Sequence, residues 1–165
     1  MKIGILSDMH NHAENLTAAL KILEREGVRV VFCCGDVVDA GLVRLFSGLE
    51  LHLVEGNIDQ NVSALARAVE RLGNGSTFGL SCTTTLDGKR IAILHGHLPD
   101  VLSEMIHSGL YDYVFHGHTH RRRDERVGST RVINPGALGG RREEKRSIAI
   151  LALASDQLRV VEIGT

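Results

Sequence analysis

The feature that most constrains the fold is a regular alternation of strand-like and helix-like segments over the first 72 residues. Short apolar runs that favour buried strands are each followed by a segment with apolar residues at helical spacing. Such alternation is typical of parallel strands joined by right-handed helical crossovers. The expected order is strand 2–7, helix 13–26, strand 28–34, a short helix near 40–47, strand 50–55 and helix 60–72.

The second half of the chain has a different pattern, in which neighbouring strands are joined by tight turns. Hairpins are expected over 81–95, with Asp87-Gly88 at the turn, over 121–134 and over 147–163. A helix near 99–108 and a strand over 111–116 lie between the first two hairpins. Parallel strands followed by hairpins predict an α/β fold in which two mixed β-sheets pack together with helices outside.

Length and charge indicate the class of protein. A chain of 165 residues fits one domain, expected over 1–165. With 19 basic and 20 acidic residues the net charge is −1, so no global field attracts nucleic acid or an acidic membrane. No apolar run approaches the roughly 20 residues that span a bilayer. The first residues, MKIGILSD, contain too few consecutive apolar residues for a signal peptide, so we expect a cytoplasmic protein.

Histidine is unusually clustered in this chain. Of nine histidines, seven fall in three short groups, at 10 and 12, at 95 and 97, and at 116, 118 and 120. Each group follows an apolar run, and Asp36, Asn57 and Asp59 follow two further runs. Because ligands of open α/β sheets bind outside the carboxyl ends of the strands, these five segments are expected to meet at one edge.

The residue types at these strand ends predict a metal site. The expected ligands offer only carboxylate or amide oxygen and imidazole nitrogen, which suits Mn, Fe, Zn, Ni or Mg better than a structural cysteine-rich zinc site. Seven ligands exceed the needs of one ion and suit two ions that share a carboxylate. The seven are Asp8, His10, Asp36, Asn57, His95, His118 and His120.

Five motifs occur in a fixed order: SDMH, GDVVD, GNID, HGH and GHTH. In this order they resemble the calcineurin-like metallophosphoesterases, and the longer stretches GLYDYVFHGHTH and VINPG are similar to the small bacterial and archaeal phosphodiesterases of that superfamily. The resemblance runs from Met1 to about residue 140. It implies a four-layer αββα fold, a small phosphate-ester substrate and hydrolysis of a phosphodiester bond.

The resemblance also assigns the ligands. One metal would take Asp8, His10, Asp36 and His120; the other would take Asn57, His95 and His118, with Asp36 bridging the two. Two divalent ions are implied, manganese first among Ni, Fe, Zn and Mg. A hydroxide between the metals would attack phosphorus in line with the leaving group, because bound metal lowers the pKa of water.

Further residues near the motifs are assigned roles by position. His97, His12 and Asp59 are candidate catalytic residues, and Asn57, His97 and Arg121 are candidate substrate contacts. For His12 and His97 the alternative is that they are solvated loop histidines. Many relatives have histidine at the position of Ile58. Since isoleucine cannot protonate a leaving group, one interpretation is that the enzyme favours diesters or good leaving groups. The alternative is that this position varies without consequence for the activity.

The basic segment and the class of function each allow more than one interpretation. Nine basic residues against four acidic ones over 121–146 could hold an anionic substrate or simply form a solvated face. With aromatic residues at 4%, there is little surface for stacking nucleic-acid bases, so a nuclease is not favoured. A phosphomonoesterase and a non-catalytic scaffold on the same fold are also compatible with the sequence, as is a homo-oligomer.

Overall fold

The computed structural model describes residues 1–164, so Thr165, the last residue of the expected domain, lies outside the described residues. The strands are β1 (Lys2–Leu6), β2 (Val30–Cys33), β3 (Glu50–Val54), β4 (Thr77–Gly79), β5 (Ser81–Leu86), β6 (Lys89–Leu94), β7 (Tyr113–Phe115), β8 (Arg123–Val127), β9 (Thr130–Asn134), β10 (Ser147–Ala152) and β11 (Gln157–Glu162). The helices are α1 (Ala13–Arg25), α2 (Val62–Leu72) and α3 (Pro99–His107), with a 3-10 helix at Ala40–Phe46.

The strands form two mixed sheets, which confirms the predicted fold class. A six-stranded sheet has the order β11-β10-β1-β2-β3-β4, and a five-stranded sheet has the order β5-β6-β7-β9-β8. In the first sheet β1, β2, β3 and β4 run parallel, and β10 pairs antiparallel with β1. In the second, β6, β7 and β9 run parallel.

The sheets pack face to face and helices cover their outer faces. Phe32 of β2 and Phe115 of β7 meet between the sheets with ring centroids 5.3 Å apart. Leu16, Leu65 and Phe46, from the two long helices and the 3-10 helix, pack in one cluster with β1, β2 and β3. Ile106 of α3 packs on the outer face of the second sheet. The layers are therefore helix, sheet, sheet, helix, as the resemblance implied.

The sequence missed one strand. β4 has three residues, one exposed and two half-buried, so it lacks the apolar run or alternation that identifies a strand. It forms because it extends the sheet next to β3, where His52 pairs with Thr77. Among residues 1–164, no helix is long and apolar enough to cross a membrane.

Candidate metal centre

Five loops meet at one edge of the two sheets. They follow β1, β2 and β3 of the first sheet and β6 and β7 of the second, where parallel strands end together. Backbone hydrogen bonds join the loops: the amide of Asp8 donates to the carbonyl of Gly35 (3.0 Å), and the amide of Gly117 donates to the carbonyl of His95 (2.9 Å). The strand ends thus bring the separate motifs of the sequence into one site.

The first ligand group consists of four side chains whose ligand atoms all lie within 4.8 Å of one another: Asp8, His10, Asp36 and His120. Nε2 of His10 lies 3.1 Å from Nε2 of His120, and the latter lies 3.2 Å from Oδ1 of Asp8. This carboxylate oxygen is buried and has no hydrogen-bond partner among the described residues. Since an unpartnered buried carboxylate oxygen facing imidazole nitrogens is costly, the donor set fits a divalent cation.

A second group converges on Asn57. Its Oδ1 lies 3.0 Å from Nε2 of His95 and 3.0 Å from Nδ1 of His118. Asp36 lies between the groups, because Oδ1 is 3.4 Å from Nε2 of His95 while Oδ2 is 3.7 Å from Nε2 of His10. All seven predicted ligands are therefore brought together, with one carboxylate facing both groups.

Backbone groups orient the ligand side chains. Nδ1 of His95 lies 2.6 Å from the carbonyl of Cys34, and Nδ1 of His120 lies 2.5 Å from the carbonyl of Arg141. A carbonyl accepts only from a protonated nitrogen, so Nε2 of each neutral ring keeps its lone pair for the site. Oδ2 of Asp8 accepts from the amide of His118 at 3.1 Å, which fixes that carboxylate.

The electrostatics divide the four ligand histidines into two pairs. The hydrogen bond to Asp8 raises the pKa of His120, and although burial alone would lower the pKa of His95, Asp36 raises it. Burial lowers the pKa of His10 and of His118, so both rings tend to be neutral. Burial alone would raise the pKa of Asp36, but the ring of His95 and the amide of Ile58 hold it below its usual range. Since imidazoles bind a divalent cation in the neutral form, His95 and His120 would lose a proton when a metal binds.

Two glycines make room for the carboxylates. A Cβ on Gly56 would lie 1.9 Å from Oδ1 of Asp36, and one on Gly117 would lie 2.6 Å from Oδ2 of Asp8. Neither glycine was predicted from the sequence to have a role at the site. The available signal was that glycine directly precedes a ligand at Gly35-Asp36, Gly56-Asn57 and Gly117-His118.

Asp59, predicted as catalytic, lies behind the ligands rather than among them. Its carboxylate accepts from the amides of Asp36 (3.0 Å), Val38 (2.7 Å) and Gly56 (2.7 Å). Both oxygens are thus engaged by the backbone that carries Asp36. This geometry suits a residue that positions a ligand.

The two predicted catalytic histidines flank the ligand groups. The ring of His97 lies 5.5 Å from that of His95 and 6.3 Å from that of His118. Its Nδ1 is buried and has no hydrogen-bond partner among residues 1–164. His12 is exposed and precedes α1, where Gly139 packs against its ring. Ile58 is half-buried, and its amide donates to Asp36.

Arg121 borders a basic groove beside the first ligand group. The groove, of about 460 Å³, is lined by His118, Thr119, His120, Arg121, Arg141, Arg142 and Glu143. Arg121 is largely exposed and forms an ion pair with Glu143 at 3.0 Å. The structure therefore places this predicted substrate contact at the rim of the groove, with an acidic partner.

Comparison with known proteins agrees with this geometry. The model of the calcineurin-like phosphoesterase superfamily domain matches residues 1–156. A phosphodiesterase of Methanocaldococcus jannaschii is 34% identical over 163 residues, covering 98% of each chain. The match spans all five motifs.

Two solved structures are also similar to this chain. A structure described as a novel archaeal phosphodiesterase superposes with a TM-score of 0.90 at 34% identity, covering 98% of this chain and 99% of that one. The phosphoesterase YfcE from E. coli superposes with a TM-score of 0.69 at 20% identity, covering 99% and 100% of the two chains. At that lower identity the likeness concerns the fold alone.

Proposed function

Because the chain belongs to the calcineurin-like phosphoesterase superfamily, we propose that it is a binuclear metal-dependent phosphodiesterase. The observation that carries the proposal is the pair of ligand groups on either side of Asp36, whose two oxygens face His10 and His95. The similarity to an archaeal phosphodiesterase over nearly the whole chain supports a phosphodiester as the substrate. Manganese is the first candidate metal, with Ni, Fe, Zn and Mg compatible with the same ligands.

The residues of the chain would hold the two metal ions and orient the substrate. Asp8, His10, Asp36 and His120 would hold one ion, and Asn57, His95 and His118, with Asp36 shared, would hold the other. When bound, the two ions supply Lewis-acid activation of water and of the phosphoryl group near neutral pH. His97, whose buried Nδ1 has no protein partner, lies beside the second group and would hydrogen-bond to a substrate oxygen.

The substrate class follows from the same residues. Ile58 offers no proton to a leaving group, so we expect diesters and good leaving groups to react faster than monoesters with poor ones. The net charge of −1 and the low aromatic content favour a small phosphate ester over nucleic acid.

The proposal is tested by turnover of metal-reloaded protein and of Asp36→Asn. Protein stripped of metal and reloaded with Mn²⁺, Ni²⁺, Zn²⁺ or Mg²⁺ is assayed on chromogenic phosphodiesters and matched phosphomonoesters. We expect metal-dependent diester turnover, faster than monoester turnover, that falls by at least about a hundredfold in Asp36→Asn, because an amide cannot bridge two cations as a carboxylate does.

The control is Asp39→Asn. Asp39 caps the 3-10 helix by accepting from the amide of Gly41 at 2.7 Å and is not among the ligands. Its variant should retain turnover. Absence of turnover with every metal, despite tight binding of two ions, would contradict the proposal and favour a binding scaffold.

A further inference from the structure

Four buried side-chain polar atoms lack a hydrogen-bond partner within residues 1–164: Oδ1 of Asp8, Nδ1 of His97, and Nε of Arg142 and of Arg146. Unsatisfied buried polar groups are rare in native proteins, and each calls for an explanation, such as strain, a catalytic role or the binding of water or an ion. The metal centre accounts for Asp8, and His97 lies beside it. The two arginines form a separate pair that the ligand groups do not explain.

Arg142 lies at the rim of the metal centre. It lines the basic groove together with His118 and His120, and its Nη1 donates to the carbonyl of Gly140 at 2.9 Å. Gly140 in turn packs against the ligand rings, because a Cβ there would lie 2.8 Å from His10 and 3.0 Å from His120. Arg142 thus contacts Gly140, which in turn packs against two rings of the first ligand group.

Arg146 belongs to the same edge of the first sheet. It directly precedes β10, whose partner β1 runs in the opposite direction and ends just before Asp8. The segment 137–139 lies between these ends: the amide of Leu138 donates to Ser7, that of Gly139 to Asp8, and that of Ser147 to Ala137. Arg146 is therefore separated from the Asp8 loop by one extended segment.

The acidic residues near the two arginines in the sequence form ion pairs with other basic residues. Glu143 pairs with Arg121, Glu144 pairs with Arg122, and Glu162 pairs with Arg122 and Lys145. No carboxylate oxygen in the described part of the chain lies within 4.0 Å of Arg142 or Arg146. Burial and the charge of Arg146 lower the pKa of Arg142, so the two cations repel each other without a compensating anion.

We propose that Arg142 and Arg146 form a subsite for a second phosphate group, carried by the substrate beside the ester that is hydrolysed. Guanidinium forks match phosphate oxygens, and two such groups balance the charge of a phosphomonoester. The assignment of this subsite to the substrate rests on the proposed phosphodiesterase function. With the subsite, the expected substrates are phosphodiesters that carry an additional phosphate group.

The first test measures binding, which does not depend on turnover. Manganese-loaded protein is titrated calorimetrically with alkanediol bisphosphates of two, three and four methylene groups and with the matching alkyl monophosphates; the series covers the unknown spacing between the subsites. We expect at least one bisphosphate to bind about tenfold or more tightly than its monophosphate. Arg142→Gln and Arg146→Gln should each remove most of this preference.

Arg90→Gln is the matched control, since Arg90 is exposed, pairs with Asp112 at 3.3 Å and does not line the groove. It should retain the preference. Equal binding of bisphosphates and monophosphates by the unmodified protein overturns the proposal. An equal loss in Arg90→Gln also overturns it, because the preference would then reflect the overall positive charge and not the two arginines. Arginine-dependent binding of inorganic phosphate without a bisphosphate preference overturns the assignment to substrate and indicates a site for free phosphate.

A thermal melt separates this role from a structural one. If the arginines serve a ligand, replacing either half-buried and unpaired charge by glutamine should leave the melting temperature unchanged or raise it. A drop of several degrees in both variants, without ligand, contradicts the subsite and indicates a structural role. If the bisphosphate preference is found but no diester is hydrolysed, the proposed function fails and the anion subsite stands.

Discussion

Five of the seven proposed metal ligands have a left-handed backbone that L-amino acids rarely adopt. The φ angles are 54° at Asp8, 46° at His10, 56° at Asp36, 67° at His118 and 55° at His120. Each such residue costs on the order of 1 kcal/mol or more, and it persists only where the surrounding structure enforces it. The cost is concentrated where the chain must turn sharply to aim a ligand, which indicates that the site is held in place before a metal binds.

Asp59 is the residue that holds one of these turns, so its replacement should weaken metal binding without removing a ligand. In Asp59→Asn one acceptor oxygen is replaced by an NH₂ group, which cannot accept from the amides of Asp36, Val38 or Gly56. We expect metal affinity, measured by calorimetric titration, to fall about 10–100-fold. Asp39→Asn is the control here too. Equal affinities in the two variants would show that Asp59 does not position Asp36.

At the scale of single residues, the sequence predicted which side chains converge but not how. His118 and His120 stand two apart in the GHTH motif, which on an extended segment would point both to one side. The structure instead places both in left-handed turns, and they face different ligand groups. Residues other than glycine adopt that conformation in only a few per cent of cases, so local sequence does not predict it, and contacts with distant segments, such as that of His120 with the carbonyl of Arg141, hold it.

At the scale of elements, the site depends on where strands end. The strands that lead into the site could be predicted because each is a largely apolar run followed within two residues by a glycine, an acidic residue or a histidine, as β2 is followed by Gly35. β4 could not be predicted, since its pairing with β3 comes from the sheet and not from its own residues. The pairing of β10 with β1 could likewise not be predicted from the local sequence, because it joins segments about 145 residues apart along the chain.

One contact between elements gives a pH dependence. Tyr113 of β7 donates to Oδ1 of Asp156, in the turn between β10 and β11, at 2.8 Å, and so links the second sheet to the first. Burial and the charge of Asp156 raise the pKa of Tyr113 to about 12. The unfolded chain has a tyrosine pKa near 10. Between these values the unfolded chain loses the proton while the folded one keeps it, so stability present below about pH 10 declines as pH rises toward about 12.

Tyr113→Phe should remove this part of the pH dependence. The free energy of unfolding is measured by urea denaturation at pH values from about 9 to about 12. The variant should be less stable at the lower pH by about 1 kcal/mol, from the lost hydrogen bond, and the difference should shrink as pH rises. A difference that stays constant across the range would contradict the raised pKa.

At the scale of the whole molecule, the metal centre depends on the packing of one sheet against the other. Asp8, Asp36 and Asn57 come from the first sheet, whereas His95 and His118 come from the second. The distances between the two ligand groups are therefore fixed by the apolar layer between the sheets, in which Phe115 is fully buried.

Phe115→Ala should destabilise the protein by about 3–5 kcal/mol, since it removes a ring from this layer and leaves a cavity. Urea denaturation measures the loss. Leu110→Ala is the control, because Leu110 is 59% exposed, and it should change stability by less than about 0.5 kcal/mol. Similar effects in both variants would show that the layer between the sheets contributes little to stability.

The central place of β1 has a consequence for how the protein is made. β1 is translated before every other strand of the described residues, yet its antiparallel partner β10 begins only at Ser147. A nascent chain already carries Asp8, His10, Asp36 and Asn57 when His118 and His120 have not been translated. Because the last predicted ligands and the strand that pairs with β1 arrive late, the complete set of ligands can come together only after most of the chain has been translated.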